Sequence, residues 1–255
     1  MLKNTFIHIP GVGFKTEKKI WEKDIFSWDD FFKKFKSIGF TKEMNSRITQ
    51  YLNLSNDALT GVDIKFFAET MPKFQMWRLY KEFEYNTVFL DIETTGLSLL
   101  NDDITIIGLF DGKDTKIFIK DQNFHNFMEK IQEYLLLVTY NGSNFDIPFI
   151  WKTFKSIALP PVHIDLRYLL RRVGYSGGLK AIEKKVGIPR NWEVENVDGF
   201  EATLLWREYL KGNLKALELL IKYNIEDIKN LKKLLEFGYN KMVCQSGFPG
   251  RLYDK

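Results

Sequence analysis

The sequence predicts an α/β protein, a mixed sheet flanked by helices, preceded by an all-helical region. Three observations predict it. Up to Asn86 the apolar spacing and the capping residues are helical throughout; from Thr87 an alternating run begins; beyond it, strand-type runs are interleaved with helical ones. The chain is therefore expected to divide into a helical accessory region at 1–85, an α/β domain at 86–243 and a C-terminal tail at 244–255.

In the first region Ser27 stands before Trp28-Asp29-Asp30, which places a capping hydroxyl and early acids ahead of Phe31, Phe32 and Phe35. Thr41 suits the cap of the next helix, and Pro72 the first turn of a helix running toward Glu84. In the second region Val88, Leu90 and Ile92 form one side of a strand, and Phe89, Asp91 and Glu93 the other. Further strands are expected at 104–110, 116–119, 135–140 and 163–166. Helices are expected near 123–133, 148–155, 178–186, 202–210 and 214–237.

Composition narrows the class. A hydrophobic fraction of 45% and an aromatic fraction of 15% belong to a folded chain. The single cysteine, Cys244, excludes an intramolecular disulfide and a cysteine-based zinc cluster. The expected setting is cytoplasmic, with no membrane partner, because no stretch approaches a membrane-spanning length. A net charge of +4, from 37 basic and 33 acidic residues, makes the clustering of charge more informative than its sum.

The chemistry lies in the carboxylates. Asp91 and Glu93 stand two apart in the run TVFLDIE, so both side chains leave one face of the sheet. Charges placed in so apolar a run need partners, and oxygen donors suit magnesium or manganese rather than a soft metal. An isolated D-x-E would read as a strand end reaching solvent. Here Thr94-Thr95-Gly96 follows, a tight turn that a substrate backbone could approach. Asp146 follows the Asn141-Gly142 turn and precedes Ile147-Pro148, a position equally suited to capping a helix. Tyr223 and Asp227 are four apart on the last helix and share a face with Leu220, Leu231 and Leu234. A carboxylate in such a stripe also needs a partner.

In this order and context the motifs DIETTG, NGSNFD and YNIED resemble those of the tyrosine-bearing subgroup of the DEDD superfamily, metal-dependent 3′–5′ exonucleases with an RNase H-like fold. The segment GFEATLLWREYLKGN is similar to the YprB-like branch. The resemblance covers roughly residues 86–238. It implies that Asp91 bridges two Mg2+ or Mn2+ ions, that Glu93 and Asp227 hold the ion that activates water, and that Asp146 supports the second ion. Tyr223 would orient that water and help deprotonate it, and a phenol with a reference pKa of about 10 suits positioning better than proton removal. Thr94, Gly96, Leu97 and Asn144, within or beside the motifs, are expected to contact nucleic acid. Leu97 would wedge against a terminal base; the alternative is a buried turn leucine.

Basic residues give the partner. Arg167, Arg171 and Arg172 precede Lys180, Lys184, Lys185 and Arg190, and arginine forks suit phosphate oxygens. Of these, Arg167, Arg171 and Lys180 are the expected phosphate contacts, Lys180 lying near a helix start. Residues 8–24 look like part of a helix-hairpin-helix, with Gly11 and Gly13 offering backbone N–H groups and Lys15 adding charge. The alternative is a plain glycine turn. The expected function is a two-metal nuclease acting on single-stranded 3′ ends of DNA or RNA. Its rivals are a non-catalytic nucleic-acid-binding module on the same fold and an interaction domain with a structural metal.

Overall fold

A computed structural model of the chain describes residues 1–249. It separates into two compact units, Met1–Glu84 with Tyr239–Lys255, and Tyr85–Gly238.

The first unit is helical: α1 (Phe14–Trp21), α2 (Trp28–Lys34), α3 (Lys42–Thr60) and α4 (Ile64–Thr70). Ser27 and Thr41 cap α2 and α3 by accepting from the Asp30 and Met44 amides. Pro72 opens a 3₁₀ helix, Lys73–Leu79, where an α-helix was expected. Trp28, Phe31 and Phe67 are buried at the centre of this unit. An ion pair sits there too: Arg78 reaches both Glu17 oxygens at 3.1 Å, with each side chain 1% exposed. Gln75 and Thr5 take further donors of the same guanidinium, as a buried charge requires.

The second unit carries β1 (Thr87–Thr94), β2 (Ile104–Phe110), β3 (Thr115–Ile119), β4 (Leu136–Thr139) and β5 (Val162–Asp165), in the order β3-β2-β1-β4-β5. β1 to β3 pair antiparallel, whereas β4 joins β1, and β5 joins β4, in parallel. The sheet is therefore mixed and β1 is its central strand. Val88, Leu90 and Ile92 pack on one face against α5 (Phe124–Ile131) and α6 (Asp146–Thr153). The opposite face of the sheet, which carries Ile106, is covered by Ala202 and Trp206 of α9 (Gly199–Leu210) and by Leu220 and Tyr223 of α10 (Leu214–Ser246). Between them in sequence lie α7 (Leu166–Arg172) and α8 (Leu179–Val186).

α10 runs past the expected end of the α/β domain at 243. From Tyr239 its residues group with the first unit, so the units part at Gly238. Cys244–Ser246, assigned to a tail from sequence, close this helix, and residues 250–255 of that tail lie outside the described residues. No helix among the described residues is long and apolar enough to cross a membrane.

Candidate active site

The strand pairing puts Asp91 opposite Gly108 and Glu93 opposite Ile106, with a register shift at Glu93/Thr94 beyond which Thr94 pairs with Ile104. Both carboxylates therefore face α10. Its buried positions include Leu220, Tyr223, Asn224, Asp227, Ile228 and Leu231, a continuous stripe at helical spacing. Asp227 from that stripe completes a group of three carboxylates, Asp91, Glu93 and Asp227, each offering an oxygen within 4.8 Å of the others.

Asp146 is the first residue of α6 and not its cap; the residue before it, Phe145, makes no side-chain cap. The Asp146 carboxylate is buried, and the nearby backbone N–H groups of Asp146 and Ile92 only partly offset the cost of that burial. Its Oδ1 is buried and without a hydrogen-bond partner. It lies outside the group of three, yet close enough for its charge to act on both Asp91 and Glu93.

Burial and mutual repulsion dominate the electrostatics. Desolvation first, then Asp227 and its other acidic neighbours, hold the Asp91 and Glu93 carboxyls well above the usual carboxylate range. Burial pushes Asp146 up to about 7. It pushes Asp227 up to about 6, against the pull of Arg190. Tyr223 is driven upward by burial and by the same carboxylates, so its phenol keeps its proton. Five carboxylates, counting Glu183, thus stand close together, with Arg190 and Lys180 as the cations that act on them most among the described residues. With the orphaned Asp146 oxygen and an all-oxygen donor set, the site fits hard divalent cations.

An open cleft of about 590 Å³ reaches these groups, and Asp91, Tyr223, Asp227, Tyr140, Asn141, Arg167 and Arg171 are among the residues that line it. Arg167 and Arg171 are exposed, and Arg167 also donates to Asn141 Oδ1 at 2.6 Å. Asn144 is exposed and donates to the Tyr168 hydroxyl at 2.7 Å. Lys180 is placed differently from the expectation of a free phosphate contact: its ammonium is tied to the carbonyls of Val197 and Glu195 and lies 5.1 Å from the Tyr223 ring centroid.

In the turn after β1, Thr94 is buried and donates to the Gly96 carbonyl at 2.6 Å. Gly96 is packed under Asp102, whose carboxylate would lie 2.6 Å from an added Cβ, so close packing within the loop already requires a glycine there. Leu97 is 85% exposed, which removes the buried-leucine alternative. Gly11, Gly13 and Lys15 belong to the other unit and are exposed. The element before that hairpin is a single 3₁₀ turn, Leu2–Asn4, where a helix-hairpin-helix has a helix; Gly11 has φ +84° and Gly13 caps α1.

Sequence reasoning missed several contributors. Asn224, fully buried, donates to Asp91 Oδ2 at 3.0 Å and to Glu93 Oε1 at 3.4 Å. Asp165 accepts from the Asn141 and Ser143 amides at 2.8 and 3.1 Å, which fixes the loop leading to Asp146. Arg190, seen in the sequence as part of a basic patch, is buried beside Asp227. Two tryptophans of the α/β unit are exposed, Trp151 at 58% and Trp192 at 79%.

A mixed five-stranded sheet, with acidic groups gathered between its central strand and the helix that crosses it, defines a nuclease-type α/β fold. The RNase H superfamily profile matches residues 88–239, more than half of the chain, and the chain belongs to that superfamily. Solved structures with a similar fold include the family B DNA polymerase of the archaeon Pyrobaculum calidifontis, at 16% identity over 62% of this chain and 24% of that one, with a TM-score of 0.46. The Aedes aegypti Nibbler EXO domain matches at 11% identity over 67% of this chain and 90% of that one, TM-score 0.42. Escherichia coli RNase D, an exoribonuclease involved in structured RNA processing, matches at 15% identity over 67% and 47%, TM-score 0.40. Comparison with curated proteins gives no match.

Proposed function

We propose that this protein is a cytoplasmic, metal-dependent nuclease that hydrolyses nucleic-acid phosphodiester bonds, acting 3′–5′ on single-stranded ends. The observation that carries the reading is the gathering of Asp91, Glu93 and Asp227 within 4.8 Å on a cleft also lined by Tyr223. The polarity and the preference for ends rest on the motifs DIETTG, NGSNFD and YNIED, not on the geometry.

Asp91, Glu93 and Asp227 would hold the divalent cations, Mg2+ or Mn2+, two per site, with Asp146 supporting the second. Such a pair of ions lowers the pKa of bound water and stabilises the entering and leaving oxygens at phosphorus. The chain's own groups do the remainder. Asn224 fixes the Asp91 and Glu93 carboxylates from behind. Tyr223, which lines the cleft with Asp227, would donate a hydrogen bond that orients the attacking water. Arg167 and Arg171, exposed along the cleft, would take phosphate oxygens of the strand, with Leu97 free to pack on a terminal base.

The test is hydrolysis of DNA and RNA oligonucleotides labelled at either end, with and without Mg2+ or Mn2+. Stepwise loss of a 3′ label with mononucleotide products, only with metal, is expected. Nucleic acid bound but left intact under every condition would leave the non-catalytic binding module in its place.

A further inference from the structure

Arg190 lies in a loop that no motif covers, and its environment is built. Lys180 and Glu183 stand three apart on α8, one turn along the same side. Gly187 then ends α8 at φ +78°, in the left-handed region, and the Ile188 N–H returns to the Glu183 carbonyl at 2.9 Å. This reversal brings the chain back so that Arg190 Nε is 2.5 Å from Glu183 Oε2 and Nη2 is 2.9 Å from Oε1. The same Nη2 lies 2.5 Å from Asp227 Oδ1, an ion-pair contact without hydrogen-bond geometry, and Nη1 has no hydrogen-bond partner. Glu183 is 1% exposed and Arg190 6%.

A fork held at two points cannot turn, so the guanidinium is presented to Asp227 in one orientation. Glu183 offsets part of its charge, so the pair lowers the acidity of the cluster less than a lone arginine would while its guanidinium faces one oxygen of Asp227. Arg190 lies 5.8 Å from the Tyr223 ring centroid as well, and so backs the phenol.

Resting on the metal-site reading above, we propose that Glu183 and Arg190 form a positioning pair that clamps Asp227 Oδ1, leaving its other oxygen to meet the divalent cation together with Asp91 and Glu93. Glu183 is required because an unpaired buried arginine would be drawn among the carboxylates and would compete with the cation for them.

The test is Mn2+ titration of the full chain by calorimetry, well below each protein's unfolding temperature, for wild type, Arg190→Met, Arg190→Lys and Glu183→Gln. Arg190→Met is expected to bind Mn2+ about 10–100-fold more weakly, the usual loss when a partner that orients a metal ligand is removed. Arg190→Lys should recover part of that loss, since it restores charge without the fork. Glu183→Gln should weaken binding as well. A folded Arg190→Met protein that binds Mn2+ as wild type does, or more tightly, overturns the proposal; tighter binding would make Arg190 a competitor of the cation. If Arg190→Met does not fold, Glu183→Gln decides, and wild-type affinity in that variant overturns it. Failure of the wild-type protein to bind Mn2+ would instead strike at the metal-site reading itself.

Discussion

The Asn224 side chain occupies the space that Gly108 leaves open on the strand beside Asp91: a Cβ at position 108 would overlap the Asn224 side-chain oxygen. A backbone without a side chain on β2 is thus what lets an amide on α10 reach the Asp91 and Glu93 carboxylates. Gly108→Ala should cost about 1–3 kcal/mol, the range for overpacking a filled interior. Denaturant unfolding of the single and double variants checks this, because adding Asn224→Ala should return much of the stability that Gly108→Ala removes. Simple additivity of the two losses would contradict the contact.

Asp91→Asn and Asp227→Asn should each lower hydrolysis by roughly 10²–10³-fold while leaving the protein folded. Asp91→Asn relieves repulsion among buried carboxylates and changes almost no volume, so the metal-free protein should lose no stability, whereas Asp227→Asn also removes the ion pair with Arg190 and should cost some. Circular dichroism and single-turnover rates at saturating Mg2+ check both halves. Near-wild-type rates in either folded variant would refute the proposed site.

Tyr223→Phe keeps the ring between Lys180 and Arg190 and removes the hydroxyl. The single-turnover rate should fall, on the order of a hundredfold if the water is misplaced, while Mn2+ affinity stays within a factor of about two. Lost stability with an unchanged rate would make the hydroxyl a structural group only.

His8 is expected to contribute an acid-side pH dependence to the helical unit, beside the Met1 amine, whose pKa burial lowers to about 6. His8 is 1% exposed, bonded to Ser55 Oγ at 2.8 Å, and packed against Trp28 and Phe67. Burial, with Arg78 second, pulls its pKa down to about 3. The unfolded chain therefore takes up a proton below about pH 6.5 that the folded chain refuses, so stability is full above that pH and declines as pH falls. The loss is about 2 kcal/mol at pH 5. His8→Gln should remove that part of the slope, measured as unfolding free energy against pH. An unchanged slope would place the acid sensitivity elsewhere.

Stopping the chain after Gly238 should loosen the helical unit and spare the sheet. Trp77 and Tyr80 would lose the Tyr239 ring, at 5.5 and 6.0 Å, and Trp21 would lose Phe248, at 5.2 Å. Tryptophan emission should shift to the red, and proteolysis should cut first within residues 1–84. An unaltered emission spectrum would show that these contacts are dispensable.

What the sequence made legible follows from how strongly each residue breaks its local pattern. Asp91 and Glu93 interrupt an apolar strand, and Asp227 interrupts an apolar helix stripe, so each announces a partner. Asn224 breaks nothing: a polar residue beside Tyr223 on a long helix looks like solvent-facing surface, and only the missing side chain at Gly108 turns it inward. Arg190 was visible as charge and invisible as geometry, because its place depends on the reversal at Gly187 and on Glu183. Lys180 was drawn toward phosphate by its place near a helix start, but two carbonyls of the following loop hold it. The α7 helix went unassigned because its run LRYLLRR follows a strand without a break, Asp165 ending one element and capping the other.

The grouping of Tyr239 with residues 1–84 bears on how the protein is made. Trp77 and Tyr80 leave the ribosome long before Tyr239, the ring on which they close. The whole sheet unit is translated in between and has its own interior, so it can settle while the older segment is still incomplete. Residues 1–84 are thus translated before the sheet unit and can finish folding only after it. Until then they present uncovered aromatic surface to whatever attends nascent chains.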